Sequence, residues 1–165
     1  MAIIKAGLSA IPVVGGPISS LIGDYLPFSI GGKKHSQALA VNEITEHLML
    51  LYNDIGLYVR DYYSRETKEN YRLSSSIKDL LDRTKACFIK YEFSLPKDIY
   101  EKLLYIENKL TEFYIKTASI IDHERHDVNR YEKSLELNKE FNHDVVGPFE
   151  SLKSDLRRFL GDVTT

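Results

Sequence analysis

From Ser36 onward the chain repeats one pattern, an apolar residue every third or fourth position with charged or polar residues between. Ile44, Leu48, Leu51, Ile55, Tyr58 and Tyr62 alternate steps of four and three, which puts them on one face of a helix predicted over about 36–68. Gly56 interrupts that helix at a cost of about 1 kcal/mol against Ala, but the face continues through it. Ser74-Ser75-Ser76 offers N-cap hydroxyls for a second helix, whose inner face is Ile77, Leu80, Leu81, Thr84, Cys87, Phe88 and Tyr91. Pro96 marks a third start, because a first turn tolerates a missing N–H, with Ser94 or Leu95 as cap. Ile99, Leu103, Ile106, Leu110, Phe113, Thr117 and Ile120 extend that helix to about His123. A fourth region begins near Asp127 or Asn129, with Tyr131, Leu135, Asn138, Phe141 and Val145 on one stripe. Gly147-Pro148 is predicted to break or kink it, and Phe149, Leu152, Leu156 and Phe159 carry the stripe on to Gly161. No segment alternates with period two. The pattern therefore predicts an all-α protein, an antiparallel bundle of four long helical regions joined by short connections, plus a short apolar helical segment at the N-terminus.

That N-terminal segment breaks the pattern. Between residues 2 and 32 only Lys5 and Asp24 are charged, and residues 6–23, AGLSAIPVVGGPISSLIG, carry no charge. Gly31-Gly32 followed by Lys33-Lys34 reads as a hinge, dividing one domain into an apolar Gly/Pro-rich segment, 1–32, and a helical bundle, 33–165. The uncharged run is borderline in length for a spanning helix, which needs about 20 residues, and Pro12 and Pro17 would interrupt it. Against a secretory signal peptide stand the early prolines, the single Lys5 and the lack of a clean small-residue cleavage site. Small residues recur every fourth position: Ala6 with Ala10, Gly15 with Ser19 and Gly23, Gly16 with Ser20. This spacing lets helix backbones approach closely, in lipid or in protein. Three readings stay open: a tightly packed core helix, a membrane-active element and an oligomerisation element. In the membrane-active reading the apolar positions are Gly7, Leu8, Ile11, Val13, Val14, Gly15, Gly16, Ile18, Leu21, Ile22 and Gly23. Tyr52, Tyr63, Tyr100, Tyr105 and Tyr114 lie beside or off the main stripes and are expected to edge a groove in which the segment docks at rest.

The run GLSAIPVVGGPISSLIG followed by a charged helical bundle resembles the HeLo and HeLo-like class of membrane-active helical domains. The resemblance covers about 25 residues plus the architecture. Pro12 and Pro17 interrupt the glycine spacing, and Ser19 and Ser20 stand where a glycine zipper carries glycine. The resemblance implies a cell-death or immune-defence effector whose N-terminal element permeabilises a membrane after oligomerisation. Such domains usually have a sensor attached. The chain is accordingly expected to be a fragment of a larger protein or a stand-alone effector. The alternative is a non-enzymatic interaction or adaptor bundle with the segment as a core helix.

Composition narrows the partners. A chain of 165 residues fits one domain, and a formal charge of -2 leaves no large basic footprint for nucleic acid. The expected partners are membrane lipids and either a second copy or another protein. Cys87 is the only cysteine, so no intramolecular disulfide forms; the expectation is a cytoplasmic protein that meets a membrane on activation. Lys153, Arg157 and Arg158, with Lys133 and Lys139, offer a modest basic face for anionic headgroups. No catalytic residues and no cofactor are expected. His123 and His126 share a helical face, but the second His comes one residue too early for the zinc motif HExxH. Glu140 and His143 give one Glu-x-x-His, and di-iron bundles need two such motifs plus carboxylates, for which Glu43 and Glu46 are the nearest candidates. Cys87 lies on an inner face beside Phe88, the position of a structural thiol.

Overall fold

The computed structural model describes residues 33–123 and 130–164. Four helical regions make up the described chain: α1 (Lys33–Asp61), α2 (Thr67–Tyr91), α3 (Lys97–His123), and a fourth run composed of α4 (Arg130–Phe141), a π turn (Asn142–Val146) and α5 (Gly147–Thr164). No strand occurs among the described residues. The expected four-region bundle is present, whereas the short N-terminal helical segment lies outside the described residues.

Side-chain pairs fix the directions. Lys90 on α2 meets Glu43 on α1, and Asn70 meets the Tyr62 carbonyl, so α1 and α2 are antiparallel. Phe88 with Tyr100 and Ser74 with Tyr114 do the same for α2 and α3. Lys102 with Asp155 and Phe113 with Phe141 run the fourth region back along α3. Helix α1 touches every other helix, which explains why Ile44, Leu48, Leu51 and Ile55 are fully buried. The expected inner faces of α1 to α3 form the core, together with Phe141, Val145, Phe149, Leu152 and Leu156.

Three boundaries and one face differ from the sequence reading. Helix α1 ends at Asp61, not near residue 68, and α2 begins at Thr67, so the three serines lie inside α2 and do not cap it. The turn is held by side chains from α2 and from the turn itself. Arg65 Nη2 donates to the Leu57 carbonyl (2.6 Å), and Asn70 Nδ2, buried, donates to the Tyr62 carbonyl (2.8 Å). These bonds tie the turn back onto the last turns of α1. Pro96 stands one residue ahead of α3, where its carbonyl accepts from Tyr100 N–H (3.0 Å), so it takes the cap position itself. On α4, Tyr131 and Leu135 are exposed, while Ser134 and Leu137 face inward with Phe141. The two large side chains suggested the wrong phase.

Gly147-Pro148 neither breaks nor ends the fourth region. Proline has no N–H for the carbonyl four residues back, and its ring crowds that carbonyl. The π turn at Asn142–Val146 inserts an extra residue just ahead of it, a recognised way for a helix to absorb such a mismatch. Val145, within that turn, is fully buried, so the adjustment keeps the apolar stripe on the core.

Candidate functional site

The antiparallel order gathers four helix termini at one end of the bundle: the start of α1, the end of α2, the start of α3 and the end of α5. This is the end at which residues 1–32 join the described chain. From Glu43, which is level with Lys90 and Tyr91, α1 continues ten residues back to Lys33, or about 15 Å at 1.5 Å per residue. Gly31 and Gly32, the expected hinge, immediately precede Lys33 but lie outside the described residues. The membrane-active positions Gly7 to Gly23 lie outside them as well.

A polar clamp holds this end together. Both Glu43 carboxylate oxygens accept from Lys90 Nζ (3.0 and 2.9 Å), and Oε2 also accepts from the Tyr91 hydroxyl at 2.5 Å. The Tyr91 hydrogen bond, and after it the one from Lys90, keeps Glu43 below the usual carboxylate range. Beneath it, burial and then the nearby Glu43 charge push the Cys87 thiol up to about 11. A thiol so placed is protonated at neutral pH and buried, which fits a structural role. On the opposite side Lys102 Nζ bonds Asp155 Oδ2 (2.7 Å), tying α3 to α5 and holding the Asp155 carboxyl low.

Between α3 and α5 lies an open cleft of about 420 Å³. Its floor is Ile106 and Leu152, its walls are Pro148 and Tyr105, and its rim is Asp98, Glu101 and the Lys102–Asp155 pair. Of the five tyrosines expected to edge a docking groove, Tyr105 alone lines this cleft. Tyr52 stacks on Phe149 (4.8 Å between centroids, 9° between planes), Tyr100 packs on Phe88, Tyr114 on Tyr58, and Tyr63 on Tyr131. Their rings serve the core and the far end of the bundle. A tyrosine off the main stripe of one helix can still face a third helix, and the single-helix periodicity does not show that.

The basic face is divided. Lys153 is buried on the bundle surface of α5, with its ammonium on Glu150 and over the Phe149 ring (5.3 Å to the centroid). Arg157 and Arg158 are exposed at the end of α5, whereas Lys133 and Lys139 belong to α4. Lys153 therefore does not face outward with the two arginines, because its aliphatic stem packs inward while only its tip finds a carboxylate.

The candidate metal residues are not drawn together. Glu140 faces Lys116 (3.6 Å), and His143, exposed in the π turn, has its Nδ1 2.7 Å from Asp144 Oδ1. Glu43 is engaged by Lys90 and Tyr91 across the bundle, and Glu46 is exposed. His126 and the side chain of His123 lie outside the described residues. Among the described residues no three His, Cys, Asp or Glu side chains group to hold a metal ion. Among those same residues no helix is long and apolar enough to cross a membrane.

Two residues at the end of α2 went unremarked in the sequence. Ile89 is 73% exposed and Phe93 94% exposed. They lie four apart and off the inward stripe of Cys87, Phe88 and Tyr91. Ile89 carries a sequence signal, a large apolar side chain where the helix period calls for a polar one; Phe93 lies past the helix end at Tyr91, where the period gives no guide. Compared with known proteins, the chain matches no family model, no curated protein and no solved structure.

Proposed function

We propose that this protein is a membrane-contacting helical bundle of the effector type, in which residues 6–23 act on the bilayer. The observation that carries the reading is the uncharged 18-residue run, joined through Gly31-Gly32 to a bundle whose helices already bury their stripes against one another. In aromatic pairs such as Phe113 with Phe141 and Phe88 with Tyr100, described helices supply both partners. An additional apolar element of this length gains most by leaving water elsewhere, and small residues at fourfold spacing let several copies pack in lipid. Permeabilisation after self-association, as in the cell-death class the segment resembles, is the mode this reading assigns.

The test is dye release from phosphatidylcholine vesicles carrying phosphatidylserine. The full chain is expected to release dye, and the chain beginning at Lys33 is expected to stay helical and release none. An interaction module with the segment as a core helix makes the opposite forecast: deletion of residues 1–32 would unfold the bundle, and the full chain would leave vesicles intact.

A further inference from the structure

Ile89 and Phe93 occupy the tip of the α2–α3 hairpin. Ile89 lies in the last turn of α2, and Phe93 lies in the turn that follows, which is closed by Ser94 N–H donating to the Tyr91 carbonyl (2.9 Å). The tip is firmly seated: Phe88 packs edge-on to Tyr100 (5.7 Å), Leu95 is buried, and Lys90 and Tyr91 are clamped on Glu43. The two exposed side chains are therefore held outward on a rigid support. A phenylalanine at 94% exposure adds nothing to the stability of the bundle, and burying it elsewhere is strongly favourable.

We infer that Ile89 and Phe93 are a second lipid anchor, which enters the bilayer interface at the end of the bundle from which α1 starts. This rests on the membrane reading above. Two placements favour lipid over a protein pocket. The 32 residues that precede α1, with their uncharged run, join it at the same end of the bundle, about 15 Å beyond the level of Lys90 at 1.5 Å per residue, so a bilayer met by one element is within reach of the other. The exposed Arg157 and Arg158 at the end of α5 and Lys97 at the start of α3 lie at that end too, placed to meet anionic headgroups. Glu92 and Asp98 are exposed among them, so the local charge is mixed and the apolar pair must supply much of the attraction. Two linked anchors hold a surface far better than either alone, because the second binds at high effective concentration.

The chain has no tryptophan, so F93W supplies a single reporter. On addition of phosphatidylcholine vesicles carrying phosphatidylserine, its emission is expected to shift to the blue and to be quenched by brominated acyl chains. The double variant Ile89→Ser with Phe93→Ser is expected to melt like the unaltered chain, since both positions are exposed, and to partition onto those vesicles at least about tenfold more weakly. If the double variant partitions like the unaltered chain and the F93W emission does not move, while deletion of residues 1–32 abolishes binding, the tip is not an anchor but the membrane reading survives. If the unaltered chain does not bind vesicles, both fall. If the double variant loses only a self-association seen by sedimentation, the tip is a contact between copies and the lipid assignment is overturned.

Discussion

Gly56 lies in the C-terminal third of α1, the helix that touches all the others, and its substitution gives a sharp test of the packing. An alanine methyl at this position would meet Phe141 Cε1 at 3.6 Å and Cζ at 3.7 Å, which is ordinary van der Waals contact. The glycine backbone is helical, so the full propensity gain of about 1 kcal/mol is available to alanine. A fully buried methylene adds about 0.8 kcal/mol, and half of that is reasonable for a half-buried site. Gly56→Ala is therefore expected to stabilise the protein by about 1–1.5 kcal/mol. In urea, followed by helical circular dichroism, the midpoint should rise by roughly 0.5 M with an unchanged slope, and the melting temperature by roughly 2–4 °C per kcal/mol. Gly56→Val places further methyls against the same ring and adds β-branching, so it should fall about 1–2 kcal/mol below the alanine variant. A loss of stability in Gly56→Ala, or equal gains for both variants, would refute the placement of Phe141 against α1.

Other consequences follow from the same contacts. Asn70→Ala should destabilise the protein by about 1–2 kcal/mol in urea unfolding, because the Tyr62 carbonyl loses its buried donor; Asn70→Asp should be worse, since an acceptor then faces that carbonyl. Cys87, buried and with its thiol pushed up to about 11, should react with a disulfide reagent at pH 8 only as fast as the protein unfolds, and urea should accelerate the reaction. Glu43 ionises below its ordinary value of 4.5 in the folded state. Its clamp thus contributes fully above that value and is lost as pH falls through the lower folded one. The urea midpoint should hold between pH 7 and pH 5 and decline below about 4.5, and Glu43→Gln should lower the neutral plateau by about 0.5–1 kcal/mol and soften the acid decline.

The core was the most readable part of the chain because burial and helix period act on the same residues. Ile44 to Tyr62 and Ile99 to Thr117 are buried as their spacing requires. Helix ends were less readable. The α1–α2 turn is set by Arg65 and Asn70 reaching back to the Leu57 and Tyr62 carbonyls, and neither stands where a stop signal would, since Arg65 lies in the turn and Asn70 inside α2. The serine run looked like a cap, yet Ser74 instead meets the Tyr114 hydroxyl on α3 (3.0 Å). On α4 the phase was lost to Tyr131 and Leu135, since a short helix with few apolar residues fits two stripes. In the candidate site the two arginines were visible as sequence, but their placement at the end where α1 begins required the antiparallel order. Lys153 was misplaced because its long stem packs while its charge pairs locally, a distinction that composition does not carry.

A single tryptophan placed within residues 6–23 tests the proposed entry of this segment into lipid. Val14→Trp in the otherwise tryptophan-free chain should show an emission blue shift and strong quenching by brominated phospholipid when vesicles containing phosphatidylserine are added. Emission that stays unchanged and unquenched, while the bundle remains folded and the vesicles are in excess, would show that residues 6–23 do not enter lipid.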